Sequence, residues 1–133
     1  MALNRERLEQ LVARSTDIVV GTNNDGTVAY YNDGAKKSLG YTAEEMLGTD
    51  VAKVYPSLDE ARRVMKAMRS SEHGGKGIVE TFRTTFLSKS GAQIPVAISG
   101  GILYDEAGAE EGTIGFAKDL REILLRDQLA TLG

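Results

Sequence analysis

Residues 25–50, DGTVAYYNDGAKKSLGYTAEEMLGTD, contain the change of pattern that decides the fold. The first two of these residues complete the sequence NNDG at 23–26, which indicates a tight turn because Asn, Asp and Gly tolerate the left-handed backbone of a hairpin. The β-rich run TVAYY follows at 27–31. Residues 32–33 can cap a short helix, and Gly40 suits the end of that helix. Thr42 and Glu45 then have the spacing of a capping box. The stretch therefore predicts a strand followed at once by two short helices.

The segments outside this stretch are predicted from hydrophobic periodicity. Before it lie a helix with a narrow apolar stripe and the first strand of a hairpin, at residues 4–14 and 17–22. After it come a long helix, three strands and a last helix, with predicted bounds 57–71, 78–88, 92–103, 112–118 and from residue 120 onward. This order predicts an α+β domain.

The long helix at 57–71 carries the strongest helical signals of the chain. Ser57 and Glu60 have the spacing of a capping box at its beginning. Asp59 precedes Arg63 by four positions, which predicts an ion pair along the helix surface. Acidic residues come first in this helix and basic residues later, an order that suits the helix dipole.

The composition is that of one globular domain. The chain has 133 residues, of which 41% are hydrophobic and 26% charged. The net charge is −3 and the basic residues are scattered, so nucleic-acid binding has little support. No apolar run approaches the roughly 18 residues of a membrane span, and the first residues lack the apolar core of a signal peptide. We therefore expect a cytoplasmic domain without nucleic-acid partners or direct membrane contact.

The motifs, taken in order, resemble those of the PAS domain family. Residues 25–50 resemble the PAS core signature, in which a Gly-led strand ends in Asn and a short helix ends in a Gly-Tyr pair. Residues 88–122 resemble the C-terminal PAS hairpin, and residues 119–122 are similar to the Asp-Ile-Thr-type motif before the outgoing helix. The resemblance covers about residues 5–122. It implies a five-stranded antiparallel sheet with short helices on one face, and a space between them that often holds a ligand.

The resemblance also implies a division of the chain. We expect an N-terminal flanking helix at 1–15, a PAS core at 16–119 and a linker helix at 120–133 toward an effector domain in the same parent chain. The last residues resemble the linker to the dimerisation helices of bacterial sensor histidine kinases. The first expectation is a sensory, regulatory domain of a two-component system that binds a small ligand or cofactor and relays a signal. The alternative is a ligand-free dimerisation and interaction scaffold in a cyclase or transcription regulator.

A ligand pocket is expected between the long helix and the inward faces of the last three strands. The candidate lining residues are Met65, Met68, Phe82, Thr84, Val96, Ile98, Gly100 and Gly115. The two methionines are either core residues or an adaptable pocket wall. The glycines inside strands either form a bulge or leave room for a ligand.

The chain offers few residues for cofactor or catalytic chemistry. In haem-binding PAS proteins the iron ligand lies on the long helix, whereas the only histidine here, His73, falls beyond it in an expected exposed loop. Blue-light relatives attach flavin through cysteine, which this chain lacks. No nucleophile elbow accompanies His73, and one histidine without cysteine is a poor zinc ligand set. We therefore expect neither haem nor covalent flavin, no catalytic or metal site, and a non-enzymatic domain whose cofactor, if any, is unknown.

Two further roles are expected at the ends of the domain. Asp119 can cap the last helix, and the resemblance implies that Asp119 and Arg121 relay signals to the effector. Both terminal helices carry apolar stripes that favour a parallel homodimer, and the second has coiled-coil spacing. The stripe residues are Leu8, Leu11 and Val12 at one end, and Leu125, Leu129 and Leu132 at the other. The alternative is that each stripe folds back on its own sheet.

Overall fold

The computed structural model describes residues 3–70 and 72–132. The helices are α1 (Arg5–Arg14), α2 (Asp33–Leu39), α3 (Ala43–Met46), α4 (Leu58–Arg69) and α5 (Arg121–Leu132), with a 3₁₀ turn at Val51–Val54. The strands are β1 (Ile18–Asn23), β2 (Val28–Tyr31), β3 (Ile78–Leu87), β4 (Gln93–Tyr104) and β5 (Glu110–Asp119). The predicted α+β class and element order are confirmed. Among the described residues, no helix is long and apolar enough to cross a membrane.

The five strands form one antiparallel sheet in the order β2-β1-β5-β4-β3. The first and last strands are therefore neighbours, and Ile18 in β1 pairs with Ala117 in β5. Helices α2, α3 and α4 and the 3₁₀ turn cover the inner face of the sheet. The fully buried side chains of this core include Ile18, Val28, Leu39, Met46, Val54, Val64, Ile94 and Val96.

Asn32 at the end of β2 joins the N-terminal segment to the sheet. Its side chain is buried, and its Oδ1 accepts from the backbone N–H of Ala35 and of Val19, each at 2.9 Å. Its Nδ2 donates to three carbonyl oxygens in and after the last turn of α1, those of Val12, Ser15 and Asp17. The residue that caps α2 therefore also fixes where α1 ends and β1 begins.

The beginning of α4 differs from the two local predictions made for it. Ser57 accepts from the backbone N–H of Glu60 as expected, but the Glu60 carboxylate accepts from Arg63 instead of reaching back to Ser57. The predicted pair of Asp59 with Arg63 is also wrong, because Asp59 lies 3.8 Å from Arg62. Glu60 and Arg63 both contact β3, and these tertiary contacts replace the two pairings that their spacing along the helix predicted.

A β-bulge interrupts the edge strand β3. Glu80 and Thr81 together lie opposite Ser99, whose hydroxyl accepts from the backbone N–H of Thr81 at 3.1 Å. Thr81 has a φ of 52°, a left-handed conformation that β-branched residues rarely adopt. Gly100 follows on β4, and a Cβ built there would lie 2.1 Å from the carbonyl oxygen of Ile114. Gly100 is therefore required by a close backbone approach, and not by a pocket.

Candidate functional site

A cavity of about 60 Å³ lies between the inner face of the sheet and α4. One buried water needs roughly 10–15 Å³ of such volume, so the cavity has room for about four or five non-hydrogen atoms. Its wall is apolar except for the hydroxyls of two threonines and one tyrosine. The lining residues are Ile18, Val20, Thr22, Val51, Val54, Tyr55, Ala61, Met65, Met68, Phe86, Ile98, Thr113, Gly115 and Ala117.

The structure brings half of the predicted lining residues to this cavity. Those that reach it are Met65, Met68, Ile98 and Gly115. Those that do not are Phe82, Thr84, Val96 and Gly100. All three of the expected strands line the cavity, most of all β5, but β1, which was not expected, contributes as many residues as β5. Of β3, only Phe86 takes part.

The four excluded residues have other roles. Val96 is fully buried in the core, and Thr84 donates to Glu60. Phe82 lies against Arg63, and Gly100 lies at the close approach to β5.

Gly115 leaves space beside the cavity. A Cβ built at Gly115 would have Ile98 Cγ2 as its nearest neighbour, at 3.7 Å, which is ordinary van der Waals contact. The lack of a side chain therefore enlarges the cavity here, whereas Gly100 has no such space. Gly115 thus fits the expected room beside a pocket, whereas Gly100 is explained by a close backbone approach, which is neither of the two alternatives that the sequence left open.

Sequence reasoning missed the residues from β1 and the 3₁₀ turn. Ile18, Val20 and Thr22 alternate along β1 and all reach the cavity. Alternation alone would have grouped these three residues on one face of β1. No local signal shows that β1 pairs with β5, and this pairing is what places them beside Gly115 and Ala117.

The cavity adjoins a surface groove of about 250 Å³. Cavity and groove share the lining residues Thr22, Val51, Ala61, Met65 and Thr113. At this junction Thr22 Oγ1 and Thr113 Oγ1 are hydrogen-bonded at 2.7 Å. The two hydroxyls therefore lie where the apolar cavity borders the polar groove.

One side of the groove is acidic. Asp25 lies in the β1–β2 turn, and its Oδ1 accepts from the backbone N–H and the hydroxyl of Thr27, at 3.0 and 2.6 Å. These hydrogen bonds, the hydroxyl's first, lower the pKa of Asp25. Asp50 begins the 3₁₀ turn, and its Oδ1 accepts from the backbone N–H of Ala52 at 2.9 Å. In both residues the turn holds the carboxylate at the groove.

The other side of the groove carries two arginines of α4. Arg69 Nη2 lies 3.0 Å from Glu110 Oε2, so an ion pair occupies this guanidinium. Within residues 3–70 and 72–132, Arg62 is held only by Asp59, at 3.8 Å, and 76% of its side-chain area is exposed. Arg62 is therefore the cation of the groove that can reorient most readily.

A polar cluster ties α4 to β3 beside the cavity. The Glu60 carboxylate accepts from the Thr84 hydroxyl and from Arg63 Nε and Nη2, the latter two at 2.9 and 2.7 Å. Arg63 also donates to the carbonyl oxygen of Arg83 at 2.8 Å, and its guanidinium lies 4.7 Å from the Phe82 ring centroid. The hydrogen bonds from Arg63 and then Thr84 lower the pKa of Glu60 to about 2. The cluster therefore depends on an ionised Glu60.

His73 lies in the loop between α4 and β3. Its ring makes an edge-to-face contact with Phe82, with the centroids 5.1 Å apart. The residue is half-buried, so the expectation of an exposed loop histidine was wrong, and the contact with Phe82 is the physical reason. Among residues 3–70 and 72–132, no group of three or more His, Cys, Asp or Glu side chains could hold a metal ion.

Asp119 and Arg121 form the junction between β5 and α5. Asp119 Oδ1 accepts from the backbone N–H of Arg121 at 3.0 Å, which satisfies a free donor at the beginning of α5. Burial acts to raise the pKa of Asp119, but hydrogen bonds from Arg121, with a smaller one from Ser38, hold it below its usual value. Leu120 between them is buried, and its N–H donates to the carbonyl oxygen of Pro95 at 2.9 Å. The junction is thus fixed to β4 and α2.

The terminal helices leave apolar side chains in solvent. All ten residues of α1 are described, and none of them is buried; Leu8 and Leu11 are 49% and 60% exposed. On α5, Leu125 and Leu129 are 56% and 58% exposed, and the side chain of Leu132 lies outside the described residues. Leu8 and the half-buried Val12 border an open groove on the outer face of the sheet, together with Tyr30, Ile114 and Phe116. Neither stripe is packed away within one copy of the chain.

Comparisons with known proteins identify a family. A family model described as "PAS domain" matches residues 16–122. A PAS domain from Colwellia psychrerythraea is 20% identical, with a TM-score of 0.75 over 88% of this chain and 97% of that chain. A PAS domain from a two-component sensor histidine kinase is 18% identical, with a TM-score of 0.68 over 86% and 94%. A domain of a sensory box sensor histidine kinase/response regulator from Geobacter sulfurreducens is 19% identical, with a TM-score of 0.65 over 86% and 92%. No curated protein matches the sequence.

Proposed function

Because the chain belongs to the PAS domain family, we propose that it is a sensory module that binds a small molecule in the cavity and relays a conformational change to an effector, such as a histidine kinase. The observation that carries this proposal is the position of the cavity on β5. Gly115 and Ala117 line it, and Asp119 ends the same strand at the junction with α5. A molecule in the cavity therefore lies one short stretch of strand away from the outgoing helix.

The relay follows from how these parts are connected. A ligand shifts a two-state equilibrium only by its difference in affinity for the two states. Occupation of the cavity would press on β5 from one side and on Met65 and Met68 of α4 from the other. The methionine side chains can adapt their shape, whereas β5 is held on both edges by β1 and β4. A shift of β5 would therefore be transmitted to Asp119, Arg121 and α5.

We propose that the working unit is a parallel homodimer through the terminal helices. The exposed stripes of α1 and α5 support this proposal, because burying apolar side chains such as Leu11 and Leu129 against a second copy would stabilise the dimer. The seam of α5 is only about two heptads long, which is marginal for an isolated helix pair. Either α1 therefore contributes to the interface, or this chain dimerises weakly.

The second candidate is a ligand-free PAS scaffold for dimerisation in a cyclase or transcription regulator. The small size of the cavity favours it, since 60 Å³ is little more than a packing defect. In either case the parent protein is proposed to be bacterial and the domain cytoplasmic and non-catalytic, with its effector in the same chain. The similar domains from sensor histidine kinases support the kinase as effector.

Native mass spectrometry and an absorbance scan of freshly purified protein test the proposal. A retained small molecule, lost when Gly115→Val fills the cavity, is the result expected for a ligand-binding sensor. A mass equal to the bare chain, together with no stabilisation by any compound of a metabolite library, favours the scaffold. A visible absorbance band after growth with haem, lost in His73→Ala, would overturn the expectation that haem is not bound.

A further inference from the structure

We propose that the cavity and its groove together bind a small zwitterion with an apolar branch, namely a free aliphatic amino acid of the size of valine or leucine. This inference rests on the proposed ligand-binding function and names the chemical class of the ligand. It is carried by three observations: the size of the cavity, the hydroxyls where it borders the groove, and the charges on the two sides of the groove.

The cavity fits the apolar part of such a molecule. Its volume of about 60 Å³ has room for an isobutyl group, but not for an aromatic ring system. The wall around that space consists of aliphatic, methionine and aromatic side chains, which favour an apolar group over a polar one. Gly115 adds space at the sheet, and Met65 at the border with the groove can adapt to a branched group.

The lining changes from apolar to polar where the cavity borders the groove. Thr22 and Thr113 line both spaces and are hydrogen-bonded to each other, and either hydroxyl can be the donor. Each hydroxyl has more than one hydrogen-bonding position, so the pair can also face a polar ligand atom. A ligand that fills the cavity therefore presents its polar end to these hydroxyls and to the groove beyond.

The groove has opposite charges on its two sides. Asp25 and Asp50 are fixed by turns on one side, and both use Oδ1 for those turns. Arg62 on α4 is exposed and only loosely held by Asp59. A simple carboxylate would be attracted by Arg62 but repelled by the two aspartates. A simple amine would be attracted by the aspartates but repelled by Arg62. A zwitterion places its ammonium and its carboxylate toward opposite partners at once.

The groove also contains Arg69 and Glu110, which already form an ion pair with each other. Arg69 and Glu110 hold each other at 3.0 Å, so they add no net charge. The remaining groove charges are Asp25 and Asp50 against Arg62, which matches one ammonium and one carboxylate better than an anion alone. This charge pattern is what distinguishes an amino acid from a fatty acid of the same length.

Isothermal titration calorimetry with the 133-residue chain tests the assignment. The probes are L-leucine and L-valine, with 4-methylpentanoate lacking the ammonium, 3-methylbutylamine lacking the carboxylate, and glycine lacking the apolar branch. We expect leucine or valine to bind at least about tenfold more tightly than each of the three. Equal binding of 4-methylpentanoate and leucine, or no binding of either amino acid, would overturn the zwitterion.

Variants locate the site. Arg62→Gln is expected to weaken leucine binding about tenfold by removing a charge-assisted contact, whereas Lys66→Gln, one turn along the exposed face of α4, leaves it unchanged. Asp50→Asn keeps the cap of the 3₁₀ turn and is expected to weaken binding of leucine but not of 4-methylpentanoate. Wild-type affinity in both Arg62→Gln and Asp50→Asn would overturn the proposal. Circular dichroism and thermal unfolding of each variant establish that it is folded.

The same experiments separate this inference from the proposed function. Gly115→Val is expected to abolish leucine binding, and Gly115→Ala, which meets only ordinary contacts, is a second variant if the larger residue prevents folding. A different molecule retained in native mass spectrometry and lost in Gly115→Val would reject the amino acid while supporting a ligand-binding sensor. Absence of any retained or added ligand would reject both.

Discussion

Arg121 donates to both carboxylate oxygens of Asp119, from Nη2 at 2.7 Å to Oδ2 and from Nε at 3.1 Å to each oxygen. The backbone N–H of Arg121 donates to the same carboxylate at 3.0 Å. The pair therefore combines a helix cap with a forked ion pair, and it holds the direction in which α5 leaves the sheet. These two contributions can be separated by mutation.

Asp119→Ala is predicted to remove both contributions, and Asp119→Asn only the charged one. The alanine variant should lose about 1 kcal/mol of unfolding free energy, the usual effect of a lost cap, and the asparagine variant less. In a full-length protein both variants should uncouple stimulus from output while ligand affinity stays unchanged. The measurements are urea unfolding, ligand titration and effector activity. If the variants switch normally and are merely less stable, Asp119 is only a cap.

Acid sensitivity is predicted to depend on Glu60. Its pKa is about 2 in the folded protein because of hydrogen bonds from Arg63 and Thr84, against about 4.3 in an unfolded chain. The stability it contributes is present above the unfolded value and is lost as the pH falls through the folded value. Urea unfolding between neutral and acid pH should therefore show a shallower loss of stability in Glu60→Gln.

The matched control for this titration is Glu44→Gln, which removes an exposed carboxylate of α3. Part of the acid loss should persist in Glu60→Gln, because the pKa of Glu45 is also lowered to about 2, chiefly by a hydrogen bond from Lys89. If Glu60→Gln loses stability with falling pH just as the wild type does, the polar cluster between α4 and β3 does not contribute to the acid sensitivity.

The two strand glycines are predicted to respond differently to the same substitution. Gly100→Ala would place Cβ 2.1 Å from the Ile114 carbonyl oxygen, so the backbone must shift, which typically costs about 1–3 kcal/mol. Gly115→Ala would meet its nearest atom at 3.7 Å and should change the unfolding free energy by less than about 1 kcal/mol. Chemical denaturation of the two variants compares them directly, and equal losses would contradict the assigned spaces.

Asn32 is predicted to control the attachment of α1. Asn32→Ala removes acceptors for the buried N–H groups of Val19 and Ala35 and should cost at least about 2 kcal/mol. Asn32→Asp keeps an acceptor for these groups but loses the donors to the segment at 12–17. Hydrogen exchange in that segment should then be faster while β1 stays protected. Unchanged exchange would mean that α1 is held by other contacts.

The dimer proposal predicts a dependence on the end of α5. Sedimentation velocity should show weak, concentration-dependent dimers for the full chain and weaker ones for a chain that ends at Glu122, which lacks Leu125 and Leu129. The cause is the loss of their apolar surface, which is more than half exposed in a single copy. If both chains are monomers at high concentration, or if truncation leaves dimerisation unchanged, the α5 seam is not the interface.

Most helix ends and turns were predicted from the sequence because each is determined by residues within a few positions of one another. Asn32 caps α2, Gly40 ends it in a left-handed conformation, and Thr42 with Glu45 forms the complete capping box of α3. Asp119 binds the first N–H of α5 as its position suggested. The strand β5 begins two residues earlier than predicted, at Glu110, because pairing with β4 extends the ladder beyond the apolar run.

The rest depended on contacts between residues far apart in the chain. Glu60 matched a local capping box, but Thr84 on β3 and Arg63 hold its carboxylate instead. The cavity lies on β1 and β5 because these strands pair, a fact that no short motif contains. Met65 and Ile98 were found because alternation and helical periodicity point them inward, whereas Thr22 was missed because the strand order was unknown.

The pairing of Ile18 with Ala117 has a consequence for how this domain can be joined to others. Because the strands are antiparallel, the polypeptide enters and leaves the sheet at one place. A domain with adjacent ends can be spliced into a host loop or between two host helices without separating them. A host segment joined before Ile18 and one joined after Asp119 would therefore lie close together, and sliding of β1 against β5 would change the spacing between them.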